Sequence, residues 1–455
     1  MTKPRDPPRA PRPSAFRPNA ALPRPSPVRM VAAGYAANML LGWALLSLPV
    51  SSAVPSRAID DLFIAVSAVS TTGLVPVDPG TTYSRFGQVV ILLLIQAGGL
   101  GFMTVSSFAF TLVAANGGGR YQAELTRTVF SLPRTINPRV FTGRVVVYTL
   151  AVEAAGAAAL WALFRARGVE EPLWLGLFHS VSAFCTAGLS LFPDSFERFS
   201  ADPPVLFAIA ALSILGAIGF LVASEAWDRL RGKLRRLSLS TRLILAVTPL
   251  MLALGTLVIA FAEPSITAMP PRERLLNAFF QAMTASTTVG FNAVPTAPLG
   301  AVAVTATYIL MLVGASPSGT GGGLKSTNVA VQWAFMVAVL RGRRVVMLFG
   351  SAVPEAKLRQ ALATFFMAAT LLAAAMLALS ATETIAFDRL LFEAISALGT
   401  VGLSLGATGE LSDAGKAVIM ALMYAGRVGV LAFGVALAVR ARAEHVRAAE
   451  EDVAV

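Results

Sequence analysis

At 455 residues the chain is long enough for two or three soluble domains, yet 55% of it is hydrophobic and only 14% charged, with a mean hydropathy of +0.69. A soluble chain of this size would be about a quarter charged. One cysteine excludes an intramolecular disulfide, and two histidines, His179 and His445, leave too little for a His-rich metal site or a charge-relay triad, so no enzyme is expected. The net charge of +12 sits in short clusters between apolar runs rather than on one soluble face, which argues against nucleic acid. This is the composition of a polytopic membrane protein.

Residues 1–30 are basic and proline-rich, with nine prolines in the first 28 positions, and predict a disordered cytoplasmic tail. Apolar runs follow near 31–50, 86–115, 141–164, 204–224, 243–262, 298–340, 360–381 and 413–439. Each meets the roughly 20 residues that a membrane span requires, and an even number puts both termini on one side. Alternate connections 1–31, 116–144, 225–242, 341–359 and 440–455 carry 7, 5, 6, 5 and 3 Lys/Arg, which is 26 of the chain's 37. The opposite connections are dominated by acids such as Asp60, Asp61, Asp78, Glu170, Glu171, Asp194, Glu197 and Glu263. The excess of cations marks the cytoplasmic side, so both termini are expected there. Anionic lipid or an acidic partner would suit the basic loops; plain solvation would also account for them.

The acidic connections share one element. Anchored on a glycine, FIAVSAVSTTGL (63–74), FHSVSAFCTAGL (178–189), FQAMTASTTVGF (280–291) and FEAISALGTVGL (392–403) align without gaps. Ten positions before the glycine stand Phe63, Phe178, Phe280 and Phe392; six before, the hydroxyls Ser67, Ser182, Thr284 and Ser396; five before, Ala68, Ala183, Ala285 and Ala397. Each is a short apolar helix of about 15 Å, half the hydrocarbon core, that dips in and turns back. Non-helical backbone at that depth survives only when buried in protein or lining a water-filled path. The expected fold is therefore all-α, with four parallel repeats of helix, re-entrant pore helix, filter turn and helix around one central pore: eight spans and four pore loops. The repeats cover 31–117, 118–226, 227–341 and 342–441, with 442–455 a cytoplasmic tail. A ring of carbonyl oxygens at such glycines replaces the hydration shell of a cation. The turns Thr71–Thr72–Gly73, Thr186–Ala187–Gly188, Thr288–Val289–Gly290 and Thr400–Val401–Gly402 carry no formal charge, which suits a monovalent ion.

Residues 298–340 are too long for one span and are interrupted at 314–326 by Pro317 and by Gly314, Gly319, Gly321, Gly322 and Gly323. Helical glycine is costly, so a loop this rich in it reads as one that must move. GTGGGLKST differs from a phosphate-binding loop because Leu324 separates the last glycine from Lys325. Lys325 and Arg427 fall inside apolar runs at similar depth beneath the turns. They either oppose a leaving cation or satisfy carbonyls freed by a helix break. Glu153 is also placed within a run, with no partner that the sequence names. Cys185 reads as a small packed residue, with redox sensing the other option.

The four repeats, with IQAGGLGFMT (95–104), GASPSGTGGGLKSTN (314–328) and GRVG (426–429), resemble the Trk/Ktr/HKT superfamily of potassium transporters over about 31–440, most closely the Ktr-type membrane subunit. The resemblance implies potassium uptake across the bacterial inner membrane through a filter formed by the twelve turn residues named above. K⁺ would be the only metal ion, held at the filter, and Na⁺ an activator in some members. A glycine at the first filter position, as in Gly73, goes with the potassium-selective class. The family further implies a gate of Gly319, Gly321, Gly322, Gly323, Lys325 and Arg427, a membrane homodimer, contact with membrane lipid and a cytosolic nucleotide-binding regulatory ring. No organic cofactor is expected on this chain. A secondary transporter coupling Na⁺ and K⁺ at the same central site is the alternative, disfavoured by the parallel repeats and neutral turns. In a Cys185→Ala background, cysteines at Asp78 and Glu170 should react with an impermeant thiol reagent from outside, and one at Arg231 should not; the opposite labelling overturns the topology.

Overall fold

The computed structural model describes residues 27–101, 138–234 and 236–437. The tail up to residue 26, the later part of the 86–115 run with most of the connection after it, and the segment from 438 with His445 lie outside the described residues.

A longer helix, a shorter one, a turn and a further helix follow one another four times. In the first set these are α1 (Pro27–Leu46), α2 (Ala58–Ser70) and α3 (Arg85–Gly99). The second has α4 (Pro138–Ala166), α5 (Pro172–Phe184), α6 (Pro203–Ala217) and α7 (Phe220–Leu230). The third has α8 (Leu239–Ala262), α9 (Pro271–Thr287), α10 (Ala301–Val313) and α11 (Ser326–Leu340). The fourth has α12 (Glu355–Thr382), α13 (Phe387–Gly399), α14 (Asp413–Val428) and α15 (Val430–Leu437). The short helices start on local signals: Pro172 and Pro271 sit at first helical positions, and Asp60, Asp61 and Asp388 lie in first turns against the helix dipole.

Among the described residues, four helices are long and apolar enough to cross a membrane: those at Val28–Leu46, Val140–Ala166, Leu239–Ala262 and Glu355–Thr382. They turn large apolar side chains outward, including Leu40, Val147, Leu150, Leu257, Phe261, Phe366 and Leu377. Water would not tolerate so many, whereas lipid would. The short helices α2, α5, α9 and α13 are buried among them, and Phe63, Phe178, Phe280 and Phe392 are each completely enclosed. The repeated phenylalanine is thus a wedge that locks each short helix in its sheath.

The sequence reading keeps 204–224 and 413–439 continuous and breaks 298–340 alone. The structure breaks all three. α6 and α7 meet at 91°, and α14 and α15 are separated by Gly429. Gly219 at φ 99° and Gly429 at φ 95° make these turns in a region closed to most side chains. Single glycines in a chain that holds 37 carry too weak a signal to be noticed. The basic stretch 341–359 contains a small hairpin, Met347–Leu348 against Ser351–Ala352, closed by the left-handed pair Phe349 and Gly350.

First and last sets are fastened together. Lys416 of α14 reaches Asp60 of α2 at 2.6 Å, with side chains only 6% and 8% exposed. Arg57 and Asp413 pair at 2.6 Å nearby, but in the open, where an ion pair contributes little. Tyr424 adds a hydroxyl donated to the Ala32 carbonyl at 2.7 Å.

Candidate functional site

Each short helix ends on the same residue in the same unusual conformation. Thr71, Thr186, Thr288 and Thr400 lie at φ 54°, 51°, 59° and 49°, the left-handed region, where a β-branched residue costs about 1–3 kcal/mol. The next residue repays part of that strain with an amide hydrogen bond back over the helix end. Thr72 donates to Ser67 O at 2.9 Å, Ala187 to Ser182 O at 2.8 Å, Val289 to Thr284 O at 3.1 Å and Val401 to Ser396 O at 2.8 Å. The hydroxyl column has a second use. Ser67 and Ser396 accept from the amides of Gly73 and Gly402, both at 3.0 Å, while Ser182 donates to Leu189 O at 2.8 Å. Thr284 Oγ1 is buried without a hydrogen-bond partner among the described residues.

The four turns meet head to tail. A β-carbon built on Gly73 lies 2.6 Å from the carbonyl oxygen of Ala187, and one on Gly188 collides with that of Val289. Gly290 stands in the same relation to Val401, and Gly402 to Thr72, which closes the circle. Each such β-carbon also comes within 3.2 Å of the next glycine's Cα. At all four glycines φ is positive, from 63° to 98°. Sequence reasoning brings these twelve residues together through the repeat alone, and the structure assembles them as a ring in the order of the chain.

The ring floors a cavity of about 430 Å³ that all four glycines line, together with Asp78, Asp194 and Glu197. Glu197 accepts a hydrogen bond from Asn292 Nδ2 at 2.6 Å. Burial raises its carboxyl above the usual carboxylate range, and the neighbouring Asp194 adds to the effect. Asp194 is itself paired with Arg198 at 2.7 Å.

On the other side of the ring lies the glycine-rich loop 314–325, between α10 and α11. It touches three of the four turn threonines. Thr320 Oγ1 lies 3.2 Å from Thr186 Oγ1 and donates to Phe184 O at 3.0 Å, and the Gly322 amide donates to Thr288 Oγ1 at 3.0 Å. A β-carbon on Gly321 meets Thr288 Oγ1 at 2.6 Å, and one on Gly322 collides with Thr400 Oγ1. Arg427 completes the set by donating to Thr71 Oγ1 at 2.7 Å. Close approach therefore explains these glycines without any appeal to motion. The loop is stitched to the break in α6–α7: Thr320 N donates to Gly216 O at 3.2 Å, Ser316 N to Ala217 O at 3.3 Å, and Phe220 N to Ser318 O at 2.9 Å.

Lys325 and Arg427 both serve this loop. Lys325 Nζ donates to Gly321 O at 2.6 Å, and Arg427 donates to Thr320 O at 2.6 Å and to Gly98 O. Neither forms an ion pair among the described residues. Two consecutive loop carbonyls are thus held by two cations, one from the end of the loop itself and one from α14.

Sequence reasoning missed Thr320, and it missed a recurrent contact. Gly98, Gly216 and Gly426 each press against the carbonyl four residues before a ring glycine, those of Val69, Phe184 and Leu398. The signal was present in IQAGGLG and GRVG, but only packing gives it meaning. Glu153 lies beside the fully buried Cys185, whose Sγ is 3.6 Å from Glu153 Oε1, and a β-carbon on Gly99 would strike that sulfur. His179 is also fully buried, stacked on Phe192 at 4.7 Å.

Residues 40–446 match a family model described as TrkH, cation transport protein. Ktr system potassium uptake protein B of Vibrio alginolyticus is 35% identical, over 90% of this chain and 91% of its own length. Potassium/sodium uptake protein NtpJ of Enterococcus hirae is 33% identical, over 92% and 95%. The crystal structure of the potassium transporter TrkH from Vibrio parahaemolyticus superposes with a TM-score of 0.73 at 18% identity, covering 93% of this chain and 86% of that one, and so shares the fold.

The two kinds of hydroxyl in the column should separate by mutation. Ser396→Ala removes the acceptor of a buried amide and should cost about 1–2 kcal/mol, read as a lower melting temperature in detergent. Thr284→Val deletes a hydroxyl that bonds to nothing and should be neutral or stabilising; equal losses in the two variants would contradict the assignment.

Proposed function

The chain belongs to the TrkH family of cation transport proteins, and from that membership we propose that it takes up potassium across the bacterial inner membrane through a channel-like filter at the glycine ring. The observation that carries this reading is the closed circle of four glycines at the floor of one acid-lined cavity. Asp78, Asp194 and Glu197 raise the local concentration of cations at the mouth. Carbonyl oxygens of Thr71–Gly73, Thr186–Gly188, Thr288–Gly290 and Thr400–Gly402 then stand in for the ion's water, and the threonine hydroxyls form the inner end of the site. In this reading the short helices are re-entrant pore helices of four parallel repeats, the three broken helices and the run that begins with α3 complete eight spans, and both termini face the cytoplasm. A membrane homodimer and a cytosolic nucleotide-binding ring complete the proposed assembly.

We propose further that the loop 314–325 is the gate. It lies against the inner threonines, where an ion leaving the filter must pass, and Lys325 and Arg427 bring two positive charges that form no ion pair among the described residues. In a poorly solvated passage such charges oppose a departing cation. Conduction requires the loop to give up its bonds to Gly216, Ala217, Phe220 and Arg427, a change that a cytoplasmic partner would drive.

Flux into liposomes holding this chain alone tests the filter. K⁺ should enter with no Na⁺ or proton gradient imposed, whereas a coupled transporter would stall. Gly290→Ser should lower the K⁺ over Na⁺ preference, because its β-carbon has no room beside Val401 O. An unchanged preference would sink the filter assignment.

Deleting Gly319–Gly323, or replacing Arg427 by Gln, should raise flux in the absence of any partner. A deletion that inserts normally and conducts no faster than the parent moves the gate elsewhere.

A further inference from the structure

The position directly after the wedge phenylalanine differs in all four short helices: Ile64, His179, Gln281 and Glu393. The position two residues beyond each filter glycine varies with it: Val75, Ser190, Asn292 and Ser404. All four of the latter line the outer cavity. In two repeats the pair is joined. Ser404 Oγ donates to Glu393 Oε2 at 2.7 Å, and Thr408 donates its hydroxyl to the other carboxylate oxygen. Arg389, one turn earlier on α13, holds the same segment by donating to Leu405 O at 3.2 Å and pairing with Glu410 at 2.9 Å.

His179 makes the matching bond in the second repeat. Its Nδ1 faces the Leu175 carbonyl at 2.8 Å, and a carbonyl can only accept, so Nδ1 carries the proton. Nε2 is then an acceptor, for the Ser190 hydroxyl at 3.0 Å and the Leu191 amide at 3.3 Å. Ile64 and Val75 have no polar atoms for such a bond. Gln281 is buried with neither side-chain polar atom hydrogen-bonded among the described residues. Asn292 looks instead to the second repeat, with Phe196 N donating to its carbonyl at 2.9 Å and its own amide facing Ser195 Oγ at 3.3 Å.

The ring order places the second and fourth repeats opposite each other. We propose that Glu393 and His179 are positioning residues for ion discrimination: each ties the segment just outside its filter glycine to its own short helix, so that one diagonal of the ring is braced from behind and the other is not. Glu393 is the stronger brace. It is completely buried, makes two bonds and is backed by Arg389. A filter discriminates between ions of similar charge only while its oxygens resist collapsing onto the smaller one, so slack in a braced segment appears as lost preference before it appears as lost flux. The proposal rests on the glycine ring being the filter.

The test is the ratio of K⁺ to Na⁺ flux into liposomes for the whole chain and its variants. Glu393→Ala should lower that ratio about tenfold, the scale of a lost hydrogen bond to a charged group. Glu393→Gln retains an acceptor for Ser404 and should recover most of the ratio, and His179→Ala should give a smaller loss than Glu393→Ala. In the Glu393→Ala background, Ser404→Ala should change nothing further. Should Glu393→Ala fail to insert, Ser404→Ala alone removes one bond at the cavity wall and should show part of the loss. Ile64→Ala, at the matching position with no brace, should keep the parent ratio. A parent-like ratio in an inserted Glu393→Ala chain overturns the proposal, as does an equal loss in Ile64→Ala, which would make the effect one of packing. Gly402→Ser separates the two readings. If it abolishes discrimination while Glu393→Ala does not, the filter stands and the brace falls; if it changes nothing, the filter reading itself falls and takes the brace with it.

Discussion

A carbonyl oxygen standing where a β-carbon would have to be is the constraint on which this molecule turns. It occurs four times in succession, at Gly73, Gly188, Gly290 and Gly402, and each occurrence joins one repeat to the next. No other residue type fits any of these positions without opening the circle. The rest of the turn follows from it. For each short helix to deliver its glycine to the ring, the chain must leave the helix abruptly, and it does so through a left-handed threonine. The amide bond back to the hydroxyl-bearing residue holds that strained exit, and the buried phenylalanine fixes the helix that carries it.

Beneath the ring the fourfold pattern is deliberately incomplete. In three repeats a glycine of the following helix packs on the carbonyl four residues before the ring glycine, which brings the helix as close as a backbone can come. In the third repeat no helical glycine among the described residues does this. α10 stops at Val313, and the loop takes the space, reaching across to the threonines of three turns and to the break between α6 and α7. One repeat has exchanged a structural contact for a segment that touches all its neighbours. A symmetric arrangement could not supply such a segment, because four copies would compete for one volume.

The two cations in this region carry two roles that looked like alternatives. Lys325 and Arg427 donate to carbonyls that a helix break leaves without partners, which is the ordinary way to make such a break tolerable away from water. The same bonds keep charge at the inner end of the ring. Both cations are bonded to loop carbonyls, so the placing of the loop and of the two charges is coupled. The buried Lys416–Asp60 pair has a different character: two opposite charges in contact, joining the last set of helices to the first and closing the circle at its outer edge.

The sequence by itself determined that the chain is a membrane protein, that it repeats four times, and which twelve residues form the turns. It could do so because those features are local: a period of apolar residues, a gapless alignment of four words, and a glycine and threonine at fixed offsets. Tertiary structure alone decided the rest. That Gly219 breaks its helix depends on the loop backbone at Pro317–Gly319 that crosses there, since one glycine in an apolar helix costs only about 1 kcal/mol and is otherwise tolerated. That Gly321 and Gly322 are demanded by the hydroxyls of Thr288 and Thr400 could not be read from the number of loop glycines. Thr320, Gly98, Gly216 and Gly426 gain their meaning from partners 28 to 136 residues away, a distance at which no periodic pattern survives. Lys416 and Asp60 stand 356 residues apart, and Glu393 was one buried acid among a chain's 25 carboxylates until folding set Ser404 and Thr408 against it. Short-range patterning specifies which pieces exist; which side chains meet across the closed ring depends on excluded volume and on unpaired polar groups finding partners, and those exist only once the chain is packed.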